Sequence, residues 1–268
     1  MSNKEISKEQ QKFLKNYKTR KRAIFLTQIL ILVVFLALWE LAARLKWVDT
    51  FLTSSPYEIY KLFISFLSDG TLFKHIGISV METVIGFLIG TILGIIIAII
   101  LWWSDFLAIV LDPYLVILNS LPKTALAPII IIWVGAGYAG IIVTAVTLSI
   151  VITIMNIYTS FKEVDENSIK MLETFGATKF QILRKLVLPA SVPSIISTIK
   201  VNIGLAWVGV IVGEFLVSRA GIGYLIVYGG QVFKLDLVMM SVIILAVLAA
   251  IMYKGIAIVE KKFIKWRQ

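Results

Sequence analysis

Cysteine is absent from the chain and histidine occurs once, at His75. Without thiols, disulfides, Cys-rich metal sites and thiol chemistry are excluded, and a lone imidazole excludes a His-centred catalytic cluster. No Gly-Lys dipeptide occurs, so the phosphate-cradling loop that needs Gly-Lys before Ser or Thr is missing. Any nucleotide energy must come from another subunit. Acidic residues are few, 16 against 26 Lys and Arg, which leaves a net charge of +10. The chain has no internal repeat and no stretch that reads as a soluble domain.

What it has is apolar residue. A hydrophobic fraction of 59% and a mean hydropathy of +0.93 are far above those of a soluble domain. About 20 apolar residues cross a bilayer core, and six segments qualify: Ala23 to Ala43, Ile76 to Trp102, Phe106 to Val134, Tyr138 to Ser160, Ser194 to Val217 and Leu237 to Val259. The fold class is an all-α polytopic membrane protein. The first span follows a basic tail, residues 1–22, and lacks a small-residue cleavage site after a short apolar core, so it reads as an uncleaved anchor. His75, beside Lys74, falls at the start of the second span near the outer interface and is given no catalytic role.

A net charge of +10 could point to nucleic acid. The positions of the cations exclude that partner, because they flank the spans. Eight lie in Lys4 to Arg22, five in Lys162 to Lys185 and four in Lys261 to Arg267. The loops Arg44 to Asp69 and Ser218 to Asp236 carry three and two. The positive-inside rule puts both termini and the 161–193 segment in the cytoplasm, leaving 261–268 as a basic tail and 23–260 as the membrane domain. Trp102 to Asp112 has no Lys or Arg, so its side follows from an even number of spans alone. In residues 1–22, Lys4, Lys8, Lys12, Lys15 and Lys18 recur at helical spacing, which suits contact with anionic membrane lipid.

Between the first two spans, Ser54-Ser55-Pro56 predicts a helix start, with Ile59, Leu62, Phe63, Phe66 and Leu67 on one face of an outer amphipathic helix over 56–68. That face suits the membrane surface or the span bundle. Gly86, Gly90 and Gly94 form a small-residue stripe on the second span, as do Gly209 and Gly213 on the fifth, and both predict close helix packing. The third span is punctuated by Pro113, Pro122 and Pro128 and carries Asn119, Ser120 and Lys123 at membrane depth. Broken backbone with polar groups belongs where it packs on protein or lines a wet cavity. The remaining intramembrane polar residues are Glu40, Glu82, Asn156, Lys200, Asn202, Glu214 and Lys254, each of which needs a partner or water. Asn119, Ser120, Asn156, Asn202 and Glu214 are the candidates for a translocation path. Beyond Glu214, SRAGIGYLIVYGGQVF reads as Gly-rich turns able to fold back as a gate.

Glu173 to Pro193, ETFGATKFQILRKLVLPASVP, is charged and amphipathic and stands between the fourth and fifth spans. Ile169, Leu172 and Phe175 recur at helical spacing before Gly176, and Phe180, Leu183, Leu186 and Val187 recur after it. Gly176 suits a left-handed turn between two helices, Thr178 an N-cap, and Pro189 the end of the second helix. Such an elbow reads as a docking surface.

The elbow resembles the EAA loop of the permease subunits of binding-protein-dependent ABC importers. Gly176 is followed by nine residues and then Leu186, Val187, Leu188 and Pro189, the spacing of that pattern, while Lys170, Met171 and Leu172 fill its Glu-Ala-Ala slots. DPYLVILNSLPKTALAPIIIIWVGAG (Asp112 to Gly137) and GEFLVSRAGIGYLI (Gly213 to Ile226) resemble the branch handling sulfonates, taurine, nitrate, bicarbonate and thiamine precursors. The resemblance implies the type I importer permease fold, six spans with a cytoplasmic coupling helix between the fourth and fifth. It implies a non-catalytic subunit without its own cofactor, a second permease copy in a homodimer, a cytoplasmic ATPase dimer that binds ATP, and an extracytoplasmic substrate-binding protein. The coupling residues it implies are Glu166, Lys170, Glu173, Gly176, Ala177, Thr178, Lys179, Phe180, Arg184, Lys185, Leu188 and Pro189, with Glu166 or Glu173 replacing the acidic anchor. The helix after Gly176 is then expected to bury its apolar face in the ATPase, with Lys179, Arg184 and Lys185 at the rim. A rival reading, an ion-coupled secondary carrier with Glu82, Lys200 and Glu214 as a relay, lacks the inverted repeats that class shows.

Overall fold

The computed structural model describes residues 8–264, and all regular structure within them is helical. The basic tails expected at 1–22 and 261–268 therefore lie partly outside the described residues. Helix α1 (Lys8–Arg44) runs unbroken through the first span. A short helix α2 (Thr50–Thr53) and the outer helix α3 (Pro56–Ser68) follow. Ser55 caps α3 by accepting from the Glu58 N–H at 3.3 Å, and Pro56 opens it with the fixed φ a first turn needs. Its apolar face does not lie free on the surface. Ile59, Leu62, Phe63 and Phe66 pack with Leu72, Ile211, Ile222, Leu225, Leu237, Met240 and Ile244 into a cluster at the end of the bundle away from the 161–193 segment.

The centre of the molecule is three long helices, α4 (Thr71–Trp103), α7 (Tyr138–Lys162) and α10 (Leu188–Val217). Their contact is made of glycine on one side and small residues on the other. A Cβ on Gly86 would meet Ala145 Cβ at 2.8 Å, one on Gly94 would meet Thr153 Cγ2 at 2.5 Å, and Gly90 lies against Ser149. Numbers rise together in these pairs, so α4 and α7 are parallel. Gly209 lies on Ala145 and Gly213 on Ile141, so α10 runs antiparallel to α7. Both glycine stripes are thus spent on packing within the chain, where dispersion between close backbones replaces the missing hydrophobic drive of lipid.

The parallel pairing decides the number of crossings. The chain must return across the bilayer between the end of α4 and the start of α7, and only residues 105–134 are available. Helix α5 (Asp105–Ser120), a 3-10 turn (Lys123–Leu126) and α6 (Ala127–Val134) fill that stretch and bend by 89° between Ser120 and Lys123. Neither arm reaches the roughly 20 residues a lone span needs, so together they form one broken crossing, and the chain spans six times. Pro122 occupies the break and Pro128 the first turn of α6, whereas Pro113 lies inside α5 without breaking it.

Helix α8 (Glu166–Thr174) and α9 (Lys179–Ile182) make the elbow. Pro189 does not end the second helix as the sequence suggested. Residues Leu183–Val187 form a π-helical turn that carries α9 into α10 without interruption, and the fifth span begins before Ser194. In an ordinary turn a proline ring clashes with the carbonyl four residues back. The wider turn, with Leu188 N–H bonded to Leu183 O five residues away, accommodates it. At the end of the bundle away from the elbow, the glycine-rich stretch is a helix, α11 (Ile222–Gln231), rather than a string of turns, and α12 (Leu235–Ile264) returns along α10. Lys200 on α10 bonds Glu260 on α12 at 2.5 Å near the elbow end.

Candidate functional site

The elbow is built by local signals. Asp165 caps α8, accepting from Asn167 N–H at 3.3 Å, Ser168 N–H at 3.0 Å and Ser168 Oγ at 2.7 Å. Those bonds, the Ser168 hydroxyl first, hold its carboxyl below the usual carboxylate range. Gly176, at φ 75°, closes α8: Ala177 N–H bonds Leu172 O at 3.0 Å and Gly176 N–H bonds Glu173 O at 2.8 Å, the paired pattern of a Schellman end. Thr178 caps α9 reciprocally, its Oγ1 accepting from Gln181 N–H while Gln181 Oε1 accepts from Thr178 N–H at 2.8 Å.

The apolar face of the second helix is turned inward, which reverses the expected assignment. Ile182, Leu183 and Val187 are buried with Ala98 of α4 and Ile157 and Phe161 of α7, while Leu186, Leu188 and Ile169 pack around them. What the elbow presents outward is Phe175 at 82% exposure, Phe180 at 59% and Met171 at 55%, with Arg184 and Lys185 exposed on the π turn. Of the carboxylates, Glu166 pairs with Lys170 of the same helix at 2.9 Å, and that partner raises the Lys170 ammonium above its usual range. Glu166 and Glu173 both line a cavity of ≈ 620 Å³ beneath the elbow, with Trp102, Asp105, Lys162 and Lys179. Lys179 does not point outward to a rim. Its ammonium donates to the carbonyl of Trp103, the last residue of α4, at 2.7 Å. Pro189 and Leu188 are half-buried where the elbow joins α10.

The path candidates separate into two groups. Asn119 and Ser120 are exposed at the end of α5, beside the 89° bend, and Asn156 is exposed on α7. Lys123 reaches back to Asn119 O at 2.9 Å and Oδ1 at 3.2 Å, placing a cation on the free carbonyl end of α5. Asn202 and Glu214 are instead fully enclosed. Asn202 Nδ2 donates to Thr91 Oγ1 at 2.9 Å and Thr153 Oγ1 at 2.8 Å, pinning α10 to α4 and α7 together.

Glu214 organises the end of the bundle away from the elbow. Its Oε1 accepts from Ser79 Oγ and its Oε2 from Gly223 N–H, each at 2.5 Å; Ser79 Oγ accepts from Ile222 N–H at 2.7 Å, and His75 Nδ1 accepts from Gly221 N–H at 3.0 Å. The amides of Gly221, Ile222 and Gly223 at the start of α11, which no helical carbonyl can reach, are thus each satisfied by a side chain. Gly221, at φ 121°, and Gly223 lie so close to the Glu214 carboxyl that a Cβ at either would collide with it. This explains the grouping of Gly213, Glu214, Gly221 and Gly223 in one motif. The sequence reading missed Ser79, His75, Thr91 and Thr153. Ser79 and Thr83 extend the glycine stripe toward the outer end of α4, and that continuity is the signal that could have found Ser79.

The proposed relay of Glu82, Lys200 and Glu214 is not contiguous. Lys200 stands fourteen residues before Glu214 on one helix, about 21 Å away at 1.5 Å per residue, and pairs with Glu260. Glu82, fully buried, does lie beside the Glu214 carboxyl, so only Lys200 stands apart.

Residues 90–265 match the family described as binding-protein-dependent transport system inner membrane component. A Bacillus subtilis permease protein named for aliphatic sulfonates transport is 28% identical over 248 residues, covering 92% of this chain and 90% of its own. The formylaminopyrimidine transport permease protein of Halalkalibacterium halodurans is 27% identical over 239 residues, covering 89% and 95%. A solved bacterial ABC transporter involved in import of the acidic polysaccharide alginate has a chain of the same fold, with a TM-score of 0.65 at 13% identity over 94% of this chain and 100% of that one. Six crossings, an elbow between the fourth and fifth, and a matched segment that runs from within α4 through the elbow to the last crossing establish the chain as a member of the inner-membrane permease family of binding-protein-dependent ABC transporters.

Proposed function

We propose that the chain is the permease of an importer for a small polar or anionic solute of the sulfonate or thiamine-precursor type. An external binding protein delivers the solute, and a cytoplasmic ATPase dimer that docks on the elbow drives the cycle. The excess of Lys and Arg at both termini and the elbow supports a cytoplasmic position for all three. The chain itself binds no ATP; the ATPase does. Two copies of the permease enclose the path, and Asn119, Ser120 and Asn156, polar groups left exposed on a single copy at membrane depth, face it.

One observation carries the docking reading. The elbow exposes Met171, Phe175 and Phe180 beside Arg184 and Lys185 although the rest of its apolar surface is packed inward, and it runs without a break into α10. Exposed aromatics rimmed by cations suit a protein partner, and the unbroken helix carries displacement of the elbow into the membrane. The permease, co-expressed with its ATPase and reconstituted in proteoliposomes, should import a sulfonate or a formylaminopyrimidine only when ATP and the binding protein are present. R184E/K185E should abolish uptake while leaving the protein in the membrane. Full ATP-dependent uptake by that variant, or uptake by the chain without ATP, refutes the docking reading.

A further inference from the structure

Lys179 occupies the first position of α9, where a cation is opposed by the positive end of the helix dipole. Its ammonium is directed away from its own helix. It donates to Trp103 O at 2.7 Å and lies 5.6 Å from the centre of the Trp102 ring and 5.9 Å from that of Trp103. Three attractions converge there: a charge-assisted hydrogen bond, a cation at the carbonyl end of α4, and two aromatic faces. The acceptor marks a corner. Trp103 ends α4, Ser104 caps α5 with its Oγ toward Leu107 N–H at 3.3 Å, and α5 begins at Asp105.

The elbow is continuous in chain with α7 at one end and, through the π turn, with α10 at the other, and its apolar residues pack on Ala98 of α4 and Ile157 and Phe161 of α7. The Lys179 bond adds a polar link to the α4–α5 corner, and α5 ends at Asn119, Ser120 and the 89° bend. We propose that Lys179 is a positioning residue that transmits displacement of the elbow to α5, so that the ATPase drives the broken crossing by a route separate from α10. The proposal rests on the docking reading, and it removes Lys179 from the set of ATPase contacts.

Because the chain has no cysteine, single nitroxide labels can be placed directly, one at S120C on α5 and one at V201C on α10. The full permease–ATPase complex in proteoliposomes is compared by electron paramagnetic resonance with no nucleotide and with ATP plus vanadate. Both labels should change mobility on trapping when Lys179 is intact. In K179M the change at 120 should disappear while that at 201 persists, and K179R, which keeps the donor and the ring contact, should restore it. An unaltered change at 120 in K179M, or none there with Lys179 intact, overturns the proposal. Loss at both labels with the ATPase still bound would show that Lys179 supports the whole elbow, and loss of the ATPase from K179M alone would make Lys179 a docking contact; either overturns it. Failure of the ATPase to bind the unsubstituted permease overturns the docking reading and this proposal with it.

Discussion

Removing the Asn202 amide should release three helices at once. Its two donated bonds, 2.9 Å to Thr91 and 2.8 Å to Thr153, link α10 to α4 and α7 at a fully buried position. Hydrogen bonds between membrane helices average about 0.6 kcal/mol and reach about 1.7 kcal/mol in double-mutant cycles. Two of them put the loss for N202A at about 1–3 kcal/mol. Thr153 Oγ1 donates to Ser149 O at 2.7 Å, so its hydroxyl proton is already committed and its lone pair needs the amide. Unfolding free energies in bilayers for N202A, T91V, T153V and the two double variants would give each coupling. Both are expected between about 0.6 and 1.7 kcal/mol. Couplings within about 0.3 kcal/mol of zero, with transport lost in N202A at unchanged stability, would refute the structural role and return Asn202 to the path.

G94L must displace Thr153, whose Cγ2 would stand 2.5 Å from the new Cβ, and should lower the unfolding free energy by about 1–3 kcal/mol, the usual penalty for overpacking. H75N keeps an acceptor where Nδ1 receives Gly221 N–H and should match the parent in thermal unfolding. H75L leaves that amide unpaired and should lose about 1–3 kcal/mol. The Asp165 carboxyl is held below its usual range by the bonds it accepts at the start of α8. Its folded-state value is therefore lower than its unfolded one, so its stabilisation is present above the ordinary carboxylate range and is lost as pH falls through the folded-state value. Protection of the Asn167 and Ser168 amides against hydrogen exchange should drop only on that acid side, and D165N should remove the pH dependence.

The crossings were legible because lipid imposes a length and a composition on them. Each long apolar run but the third corresponds to one helix, extended where polar or amphipathic ends continue it, as with Thr71 before Ile76 and Lys162 after Ser160, while the third is divided between α5 and α6. The glycine stripes were legible for a related reason, since a helix that lacks side chains at every fourth position has little use for that face except close packing. Partners of buried polar groups were not legible. Asn202 and Asn119 look alike in sequence, both amides at membrane depth, and only the three-helix contact makes one a pin and leaves the other exposed. Glu214 was found as unusual, but its function as acceptor for the start of α11 depends on Ser79, which is 135 residues away in the chain.

The elbow shows where local rules mislead. Helical spacing correctly picked out Leu183, Leu186 and Val187 as one face, yet an apolar face reads the same whether it meets a partner or its own bundle. Phe161 and Ile157 of α7 take it up, and the outward surface falls to Met171, Phe175 and Phe180. Pro189 was read as a stop because a proline cannot continue an α-helix without a clash. A π turn places one more residue in the circuit, and this removes the clash while keeping the helix axis continuous. The difference matters mechanically. A helix ended at Pro189 would leave a joint able to absorb displacement before it reached the membrane. A helix widened there keeps the elbow and the fifth crossing as one rod, so displacement at Phe180 is carried toward Asn202 and Glu214 along α10. With Lys179 tied to Trp103, the same displacement also reaches α5, and the elbow then cannot move without carrying both crossings.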